Sequence, residues 1–234
     1  MRVMTFNIQH CEDYFTQKID YDEFASVIKN SGADIIGLNE VRGEGVGEGY
    51  DAQAEILAKK LGFYYFFAPI IHFNNGGPYG NAFLSRYPVT SAEIIKIPDP
   101  EEKKYNDYYE TRCIINAEIS APCGNISLCV THFGLNPDEQ SNAVKAVLEN
   151  IKKERFILTG DFNATPDCEI LRPIKERLFD TAQSVSDGLL SYPSDNPDRK
   201  IDYIFVSRDI KVKNAQIMDT QVSDQRPYFT DIEL

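Results

Sequence analysis

The sequence predicts a mixed α/β (α+β) protein with strands in its interior and helices outside, in two layers or more. Short apolar runs of strand character alternate with amphipathic helical patterns almost to the end of the chain. The 234 residues, of which 42% are hydrophobic and 26% charged, can bury a sizeable core without disulfides or a structural metal. Because no repeat or flexible linker interrupts this order, we predict one domain over residues 1–234.

Three helices are predicted from their terminal residues. The first begins near Asp22 and ends at Gly32, and the second spans about residues 51–61 before Gly62. The third begins at residues 136–139, where an asparagine N-cap is followed by proline at the first helical position and glutamate at the third.

Strands are predicted where apolar runs lie between polar turns. The first strand starts at the N-terminus and ends in Asn7, and residues 34–38 form a second strand that runs into Asn39 and Glu40. The remaining predicted strands are residues 63–68, 82–86, 113–119, 126–131, 155–159, 201–207 and 228–234.

The charge balance excludes some partners. With 24 Lys and Arg against 36 Asp and Glu, the net charge is −12, so no strong nucleic-acid surface is expected. An acidic protein can still meet a phosphate through bound cations. Since the sequence has no leader pattern and no long apolar run, we expect no membrane span and a cytoplasmic location, with a longer secreted precursor as the alternative. Oligomeric state stays open.

Acid, amide and imidazole side chains follow the predicted strands at four places: Asn7, Asn39 with Glu40, His132, and Asp161 with Asn163. A polar residue at the end of a buried strand is held rigidly yet reaches solvent, which suits a functional site. Oxygen ligands favour Mg²⁺, which takes one or two carboxylates and completes its shell with water and substrate phosphate. The carboxylates available for such a shell are Glu40, Asp161, Asp202 and Asp224.

The same residues belong to motifs of a known family. In chain order they are TFN ending at Asn7, DIIGLNEV at 34–41, YGNAFLSRYP at 79–88, ETR at 110–112, TH at 131–132, GDFNA at 160–164, IDY at 201–203 and SD at 223–224. With them the chain resembles the endonuclease/exonuclease/phosphatase superfamily, which includes pancreatic-type deoxyribonuclease and the inositol-polyphosphate 5-phosphatases. YGNAFLSRYP is typical of small bacterial members.

The resemblance implies a four-layer α/β/β/α sandwich, with two mixed sheets face to face and helices on both outer sides. It also implies a metal-dependent hydrolase that cleaves a phosphoester by in-line attack of water. Glu40 resembles the principal ligand of Mg²⁺, or of Mn²⁺ as the alternative ion, with Asn7 and Asp224 beside it.

Catalytic and substrate-binding roles are implied in the same way. Asp161 and Asn163 match the pair that orients and activates the attacking water, and His132 matches a donor to a phosphate oxygen. Arg112 and Asn81 fall where relatives contact substrate, with Glu110 as a possible support for the arginine.

The last motif departs from the family pattern, because Gln225 stands where relatives have histidine after Ser-Asp. In relatives this histidine sits against the aspartate matched here by Asp202. Glutamine can hold a phosphate oxygen but cannot take up a proton, so the proton acceptor would be Asp161 or hydroxide on the metal. Three explanations of Gln225 stay open. It is a natural variant in an active enzyme, a substitution introduced into the chain, or a sign that this member binds without turnover. Asp202 itself is either catalytic or a structural acceptor of backbone donors.

The leading hypothesis is a phosphoesterase acting on a small or lipid-like phosphate mono- or diester, with activity weakened by Gln225. One alternative is a nuclease, and another is a non-catalytic module that binds phosphate esters. Several residues outside the motifs are predicted to be structural. They are His10 and His72, expected in loops or on the surface, and Tyr105, Tyr108 and Tyr109, expected in a partly buried loop with base or sugar stacking as the alternative.

Overall fold

The computed structural model describes residues 1–185 and 188–234 and contains two six-stranded sheets. Its strands are β1 (Arg2–Asn7), β2 (Ile35–Arg42), β3 (Tyr64–His72), β4 (Pro78–Ser85), β5 (Val89–Lys96), β6 (Cys113–Ala121), β7 (Gly124–His132), β8 (Phe156–Asp161), β9 (Phe179–Asp180), β10 (Asp202–Val206), β11 (Lys211–Ile217) and β12 (Tyr228–Glu233). Sheet 1 has the order β11-β12-β1-β2-β4-β3, and sheet 2 has the order β5-β6-β7-β8-β10-β9.

The α-helices in the described ranges are α1 (Tyr21–Ser31), α2 (Gln53–Leu61), α3 (Pro137–Asn150) and α4 (Arg172–Arg177). The capping residues set the ends of α1. Asp20 accepts hydrogen bonds from the backbone of Asp22 and Glu23, and Gly32 ends the helix at a φ of 67°. Within the described part of the chain, none of these helices combines the length and the apolarity needed to cross a membrane.

Each sheet contains one parallel strand pair, and the C-terminal ends of the two paired strands lie at the same edge of that sheet. In sheet 1, β1 runs parallel to β2 and Asn7 pairs with Asn39. In sheet 2, β7 runs parallel to β8 and His132 pairs with Asp161. The other strand pairs are antiparallel, and β10 begins with Asp202 opposite Asp161. Polar residues that are far apart in sequence therefore end up at neighbouring strand ends.

Three apolar clusters separate four layers. The cluster between the sheets joins Val3 and Ile35 of sheet 1 to Leu128 and Ile157 of sheet 2. A second cluster packs α1 and α2 on the outer face of sheet 1, and a third packs α3 and α4 on the outer face of sheet 2. The predicted four-layer sandwich of two mixed sheets with flanking helices is confirmed.

The elements that sequence patterns missed lie near the edges of the fold. Sequence patterns do not predict residues 89–96, 172–177, 179–180 and 211–217, which form β5, α4, β9 and β11. β5 and β11 are outer strands of their sheets, and much of their surface is exposed, so their sequences lack the continuous apolar run of a central strand.

Candidate active site

A cleft of about 560 Å³ opens at the strand ends where the two sheets meet. Seven of the predicted site residues line it: Glu40, Arg112, His132, Asp161, Asn163, Asp224 and Gln225. The other three lie behind its wall or beside it: Asn7, Asn81 and Asp202. The fold thus brings most of the predicted set into one solvent-accessible space.

A β-bulge directs Glu40 into the cleft. Pairing of β2 with β4 shifts between Leu38 and Val41, so that Asn39 and Glu40 together face only Asn81. Glu40 adopts a φ of 58°, a left-handed conformation that non-glycine residues rarely take. Backbone strain of this kind is frequent at functional sites, where the surrounding structure holds it in place.

Asn39, the residue before Glu40, connects the two sheets at the floor of the site. Its amide nitrogen donates to Asn81 Oδ1 at 2.9 Å and to the Thr131 carbonyl at 2.8 Å. Its Oδ1 accepts from the Asp161 backbone at 2.9 Å. The sheets approach closely here, since a Cβ on Gly37 would lie 2.6 Å from Thr159 Cγ2. The sequence predicts Asn39 at a strand end, but no motif indicates this connecting role.

Asn7 holds two of the acidic side chains. It is fully buried, and its amide nitrogen donates to Glu40 Oε1 at 2.9 Å and to Asp161 Oδ2 at 3.3 Å. Asn7 Oδ1 accepts from the Gln9 backbone at 3.1 Å. Asn7 therefore lies between a carboxylate of sheet 1 and a carboxylate of sheet 2.

Arg112 fixes the protonation pattern of His132. Arg112 Nη1 lies 3.1 Å from His132 Nδ1, and Arg112 Nη2 pairs with Glu110 Oε2 at 2.8 Å. Because a guanidinium only donates, Nδ1 must accept and the ring proton lies on Nε2. Burial and the charge of Arg112 lower the pKa of His132 well below 6.5, which keeps the ring neutral. The one N–H of His132 is thus on Nε2, at the cleft, where Nε2 lies 3.3 Å from the Asn163 side-chain nitrogen.

Asp161 is the most heavily hydrogen-bonded acid of the site. Its Oδ2 accepts from Gln225 Nε2 at 2.6 Å as well as from Asn7, and its Oδ1 accepts from the Asn163 backbone at 2.8 Å. Oδ2 is also 3.6 Å from His132 Nε2. Burial raises the pKa of Asp161 although these hydrogen bonds lower it. The Asn163 side chain donates to the Phe133 carbonyl at 3.0 Å, and its φ is 46°.

Asp202 lies behind the cleft, 2% exposed, opposite Asp161. Among residues 1–185 and 188–234 neither of its carboxyl oxygens has a hydrogen-bond partner, and Gln225 Oε1 also lacks one. The alternative that backbone donors satisfy Asp202 is therefore wrong. Burial and the charge of Asp161 raise the pKa of Asp202 well above 3.8. The nearby Ser191 hydroxyl lowers the pKa of Asp202 in part, but it does not form a hydrogen bond with the carboxyl group.

Asn81 does not line the cleft. It is 3% exposed, accepts from Asn39, and its amide nitrogen lies 3.5 Å from the Cys113 carbonyl. These contacts hold the bulge at Glu40 in place, and Asn81 itself is buried. A direct contact of Asn81 with substrate therefore stays a prediction.

Two of the residues that were predicted to be structural line the cleft, His10 and Tyr108. His10 lies in a short 3₁₀ turn, as a loop position predicts, but it is mostly buried and its Nδ1 is 3.0 Å from the Glu40 carbonyl. Burial and the charge of Arg42 lower the pKa of His10 to about 4. Tyr108 also lines the cleft and is 67% exposed, and Tyr105 is 47% exposed, so the expectation of partial burial is wrong for both. His72 is exposed at the end of β3, as predicted.

The donor set fits a hard divalent cation. Burial, together with the charges of Glu40 and Asp161, raises the pKa of Asp224 to about 7, because a buried carboxylate beside other carboxylates is disfavoured. Within the described residues no three His, Cys, Asp or Glu side chains are arranged to hold a metal by themselves. A cation here would use one or two carboxylates and complete its shell with water and substrate, as Mg²⁺ does. Asn7 would join it through Oδ1, the atom that accepts from the Gln9 backbone in this structure.

The four-layer sandwich, with acids, amides and an imidazole at its strand ends, is the arrangement expected of a phosphoester hydrolase of the family that the sequence resembles. The model of the Endonuclease/Exonuclease/phosphatase family matches residues 4–225. The chain therefore belongs to this family, whose members generally hydrolyse phosphoesters.

Solved structures agree in fold. An endonuclease/exonuclease/phosphatase from Beutenbergia cavernae is 23% identical with a TM-score of 0.84, and the match covers 100% of this chain and 71% of that one. A family protein from Leptotrichia buccalis is 19% identical with a TM-score of 0.80, covering 100% of both chains. A mannosyl-6-phosphatase from Bacteroides thetaiotaomicron is 16% identical with a TM-score of 0.79, also covering 100% of both.

Proposed function

We propose that this chain is a divalent-metal-dependent phosphoesterase that hydrolyses a phosphate mono- or diester of a small molecule or lipid-like headgroup. The observation that supports it most is the convergence of Glu40, Asp161 and His132 from both sheets in one open cleft. Phosphoryl transfer needs mainly positioning and charge neutralisation, and this set offers ligands for a cation and donors for phosphate oxygens.

Glu40, Asn7 and Asp224 are the proposed holders of the cation, which is Mg²⁺ or Mn²⁺. When bound, the cation neutralises charge on the phosphate and on the surrounding carboxylates. This compensation is what a chain of net charge −12 requires in order to accept an anionic ester. Asn7 contributes by holding Glu40 and Asp161 through one amide group.

His132 donates its Nε2–H to a non-bridging phosphate oxygen. Arg112 on Nδ1 keeps the proton on Nε2, and the Glu110 carboxylate keeps Arg112 in place. The donor is thus oriented before substrate arrives, so it costs little reorganisation in the transition state.

Asp161 orients the attacking water and accepts its proton, with Asn163 beside it. Gln225 holds Asp161 Oδ2 through its amide, but an amide cannot exchange protons near neutral pH. The raised pKa of the buried Asp161 carboxyl makes it a better acceptor than an exposed aspartate. We therefore expect measurable but modest turnover.

The test is hydrolysis of bis(p-nitrophenyl) phosphate, p-nitrophenyl phosphate and supercoiled plasmid, with Mg²⁺, Mn²⁺ or EDTA. We expect EDTA-sensitive release of nitrophenol by the wild-type chain and a loss of about 10²-fold or more in Glu40→Gln. Glu44→Gln, which removes the same charge from an exposed loop position, is the matched control and should keep full activity.

Three other outcomes would contradict the proposal. Cleavage of plasmid alone would favour a nuclease. Binding of phosphate esters without turnover of any substrate would favour a non-catalytic module. Equal activity in Glu40→Gln and Glu44→Gln would remove Glu40 from the mechanism.

A further inference from the structure

We propose that Arg199, supported by Tyr192, forms a second oxyanion subsite in the cleft that binds a phosphate or carboxylate on the leaving group of the substrate. This inference rests on the proposed function, since it names the substrate class of the same cleft. Both residues line that cleft, although neither belongs to a motif recognised in the sequence.

The segment that carries both residues is hydrogen-bonded to the loop that contains Asp224 and Gln225. Tyr192 and Arg199 face each other as an antiparallel bridge and exchange backbone hydrogen bonds at 3.0 and 3.1 Å. The backbone nitrogen of Ser194 donates to the Asp224 carbonyl at 2.7 Å, and that of Arg226 donates to the Ser191 carbonyl at 2.8 Å. Arg199 is therefore held at a defined position relative to Asp224 and Gln225.

The guanidinium of Arg199 is held in place by its neighbours, and its Nη groups remain available to donate hydrogen bonds. It stacks on the Tyr192 ring, with Cζ 4.7 Å from the ring centroid, and its Nε donates to Asp198 Oδ1 at 3.1 Å. Within residues 1–185 and 188–234 its two Nη groups donate to no protein atom, and the side chain is 54% exposed. A stacked guanidinium with two free Nη groups suits a planar or tetrahedral oxyanion.

The other guanidinium in the cleft, that of Arg112, is less available because its side chain is only 11% exposed. Both of its Nη groups already have a partner, His132 for Nη1 and Glu110 for Nη2, and its Nε is buried away from the cleft. The acidic residues of the cleft, Glu40, Asp161 and Asp224, would repel any anion that is not neutralised. Among the described cleft residues, Arg199 is thus the cation available to a second anionic group.

The cleft is also larger than one phosphate group needs. Its volume of about 560 Å³ is within the range of pockets that enclose a whole small ligand. The scissile phosphate is expected near His132 and Asn163, which leaves the part of the cleft bounded by Tyr192 and Arg199 to the leaving group. The substrate class is therefore a phosphate ester whose leaving group carries a further oxyanion.

Two pairs of probes differ by one oxyanion each: fructose 6-phosphate against fructose 1,6-bisphosphate, and glycerol 3-phosphate against 3-phosphoglycerate. Equilibrium binding of all four is measured by isothermal titration calorimetry with Ca²⁺ in place of Mg²⁺. We expect the wild type to prefer the member with the extra oxyanion by about tenfold. Arg199→Gln should reduce this preference to about twofold or less, and Arg199→Lys should keep part of it. Comparing the two pairs separates a phosphate from a carboxylate.

Arg86→Gln is the matched control. Arg86 is 51% exposed, its Cζ lies 5.0 Å from the Phe63 ring, and its Nε bonds Asp34 at 2.9 Å, outside the cleft. It should keep the wild-type preference, and urea unfolding checks that both glutamine variants fold. An unchanged preference in folded Arg199→Gln, or no preference in the wild type, would overturn the subsite. Selective binding by a chain that hydrolyses no ester would support the subsite and contradict the proposed function.

Discussion

Replacing Asn39 with leucine tests how the two sheets are joined beneath the site. Leucine has nearly the same shape, but it cannot make the three hydrogen bonds of Asn39, which measure 2.8–2.9 Å. The substitution leaves Asn81 Oδ1, the Thr131 carbonyl and the Asp161 backbone N–H without their partner in a fully buried place.

The expected magnitude follows from these three groups. A buried polar group without its partner costs about 1–3 kcal/mol, and Asn81 can recover part of the loss by rotating its amide. We therefore expect the free energy of unfolding to fall by about 3–5 kcal/mol. This is a large share of the roughly 5–15 kcal/mol that a folded domain has. Activity should fall as well, because the Asp161 backbone and the Glu40 bulge lose a common support.

The assay is urea unfolding followed by fluorescence and circular dichroism. Asn116→Leu is the matched control, since Asn116 makes a single exposed hydrogen bond of 3.0 Å to Glu93. It should lower the free energy of unfolding by less than about 1 kcal/mol. A similar small loss in Asn39→Leu would refute the view that Asn39 connects the sheets.

Two further predictions concern buried groups next to the site. Gln225→His should raise turnover about 10²-fold, because an imidazole can exchange protons and can pair with Asp202, which has no hydrogen-bond partner among the described residues. The same gain in a background of Asp202→Asn would contradict that pairing. Lys200, buried beside Asp180, has its pKa lowered by burial to about 8 from 10.5. Between these values the unfolded state binds more protons than the folded state, so stability relative to Lys200→Met should rise with pH by at most about 1.4 kcal/mol per unit. Urea unfolding of both proteins between about pH 7 and 10 measures this difference, and a constant value would count against it.

The sequence predicted the structure best where a single strand or a helix cap is determined by residues next to one another in the chain. Apolar runs that end in Asn7, Glu40 and His132 predicted central strands. Asn7 and His132 do end their strands, whereas β2 continues past the bulge at Glu40 to Arg42. The start of α3 at Pro137 follows from residues within one turn, where the Glu139 carboxylate accepts from the Asn136 backbone at 3.2 Å.

The site features that were missed depend on contacts between distant segments. Nothing near Arg199 in the sequence shows that its backbone pairs with Tyr192 beside the loop of Asp224. His10 has no partner nearby in sequence, and its contact with Glu40 arises only when β1 and β2 pair in parallel. The connecting role of Asn39 likewise requires the second sheet, which no local pattern around it encodes.

The central claim, that Glu40 belongs to a site for a hard divalent cation serving phosphoester hydrolysis, is tested most directly by Mn²⁺ binding. Electron paramagnetic resonance counts free Mn²⁺ during titration of the wild type, Glu40→Gln and Glu44→Gln, and nitrophenol release is measured on the same samples. We expect Glu40→Gln to weaken Mn²⁺ binding about tenfold or more and to lose activity in parallel, while Glu44→Gln matches the wild type. Wild-type Mn²⁺ affinity in Glu40→Gln would contradict the claim.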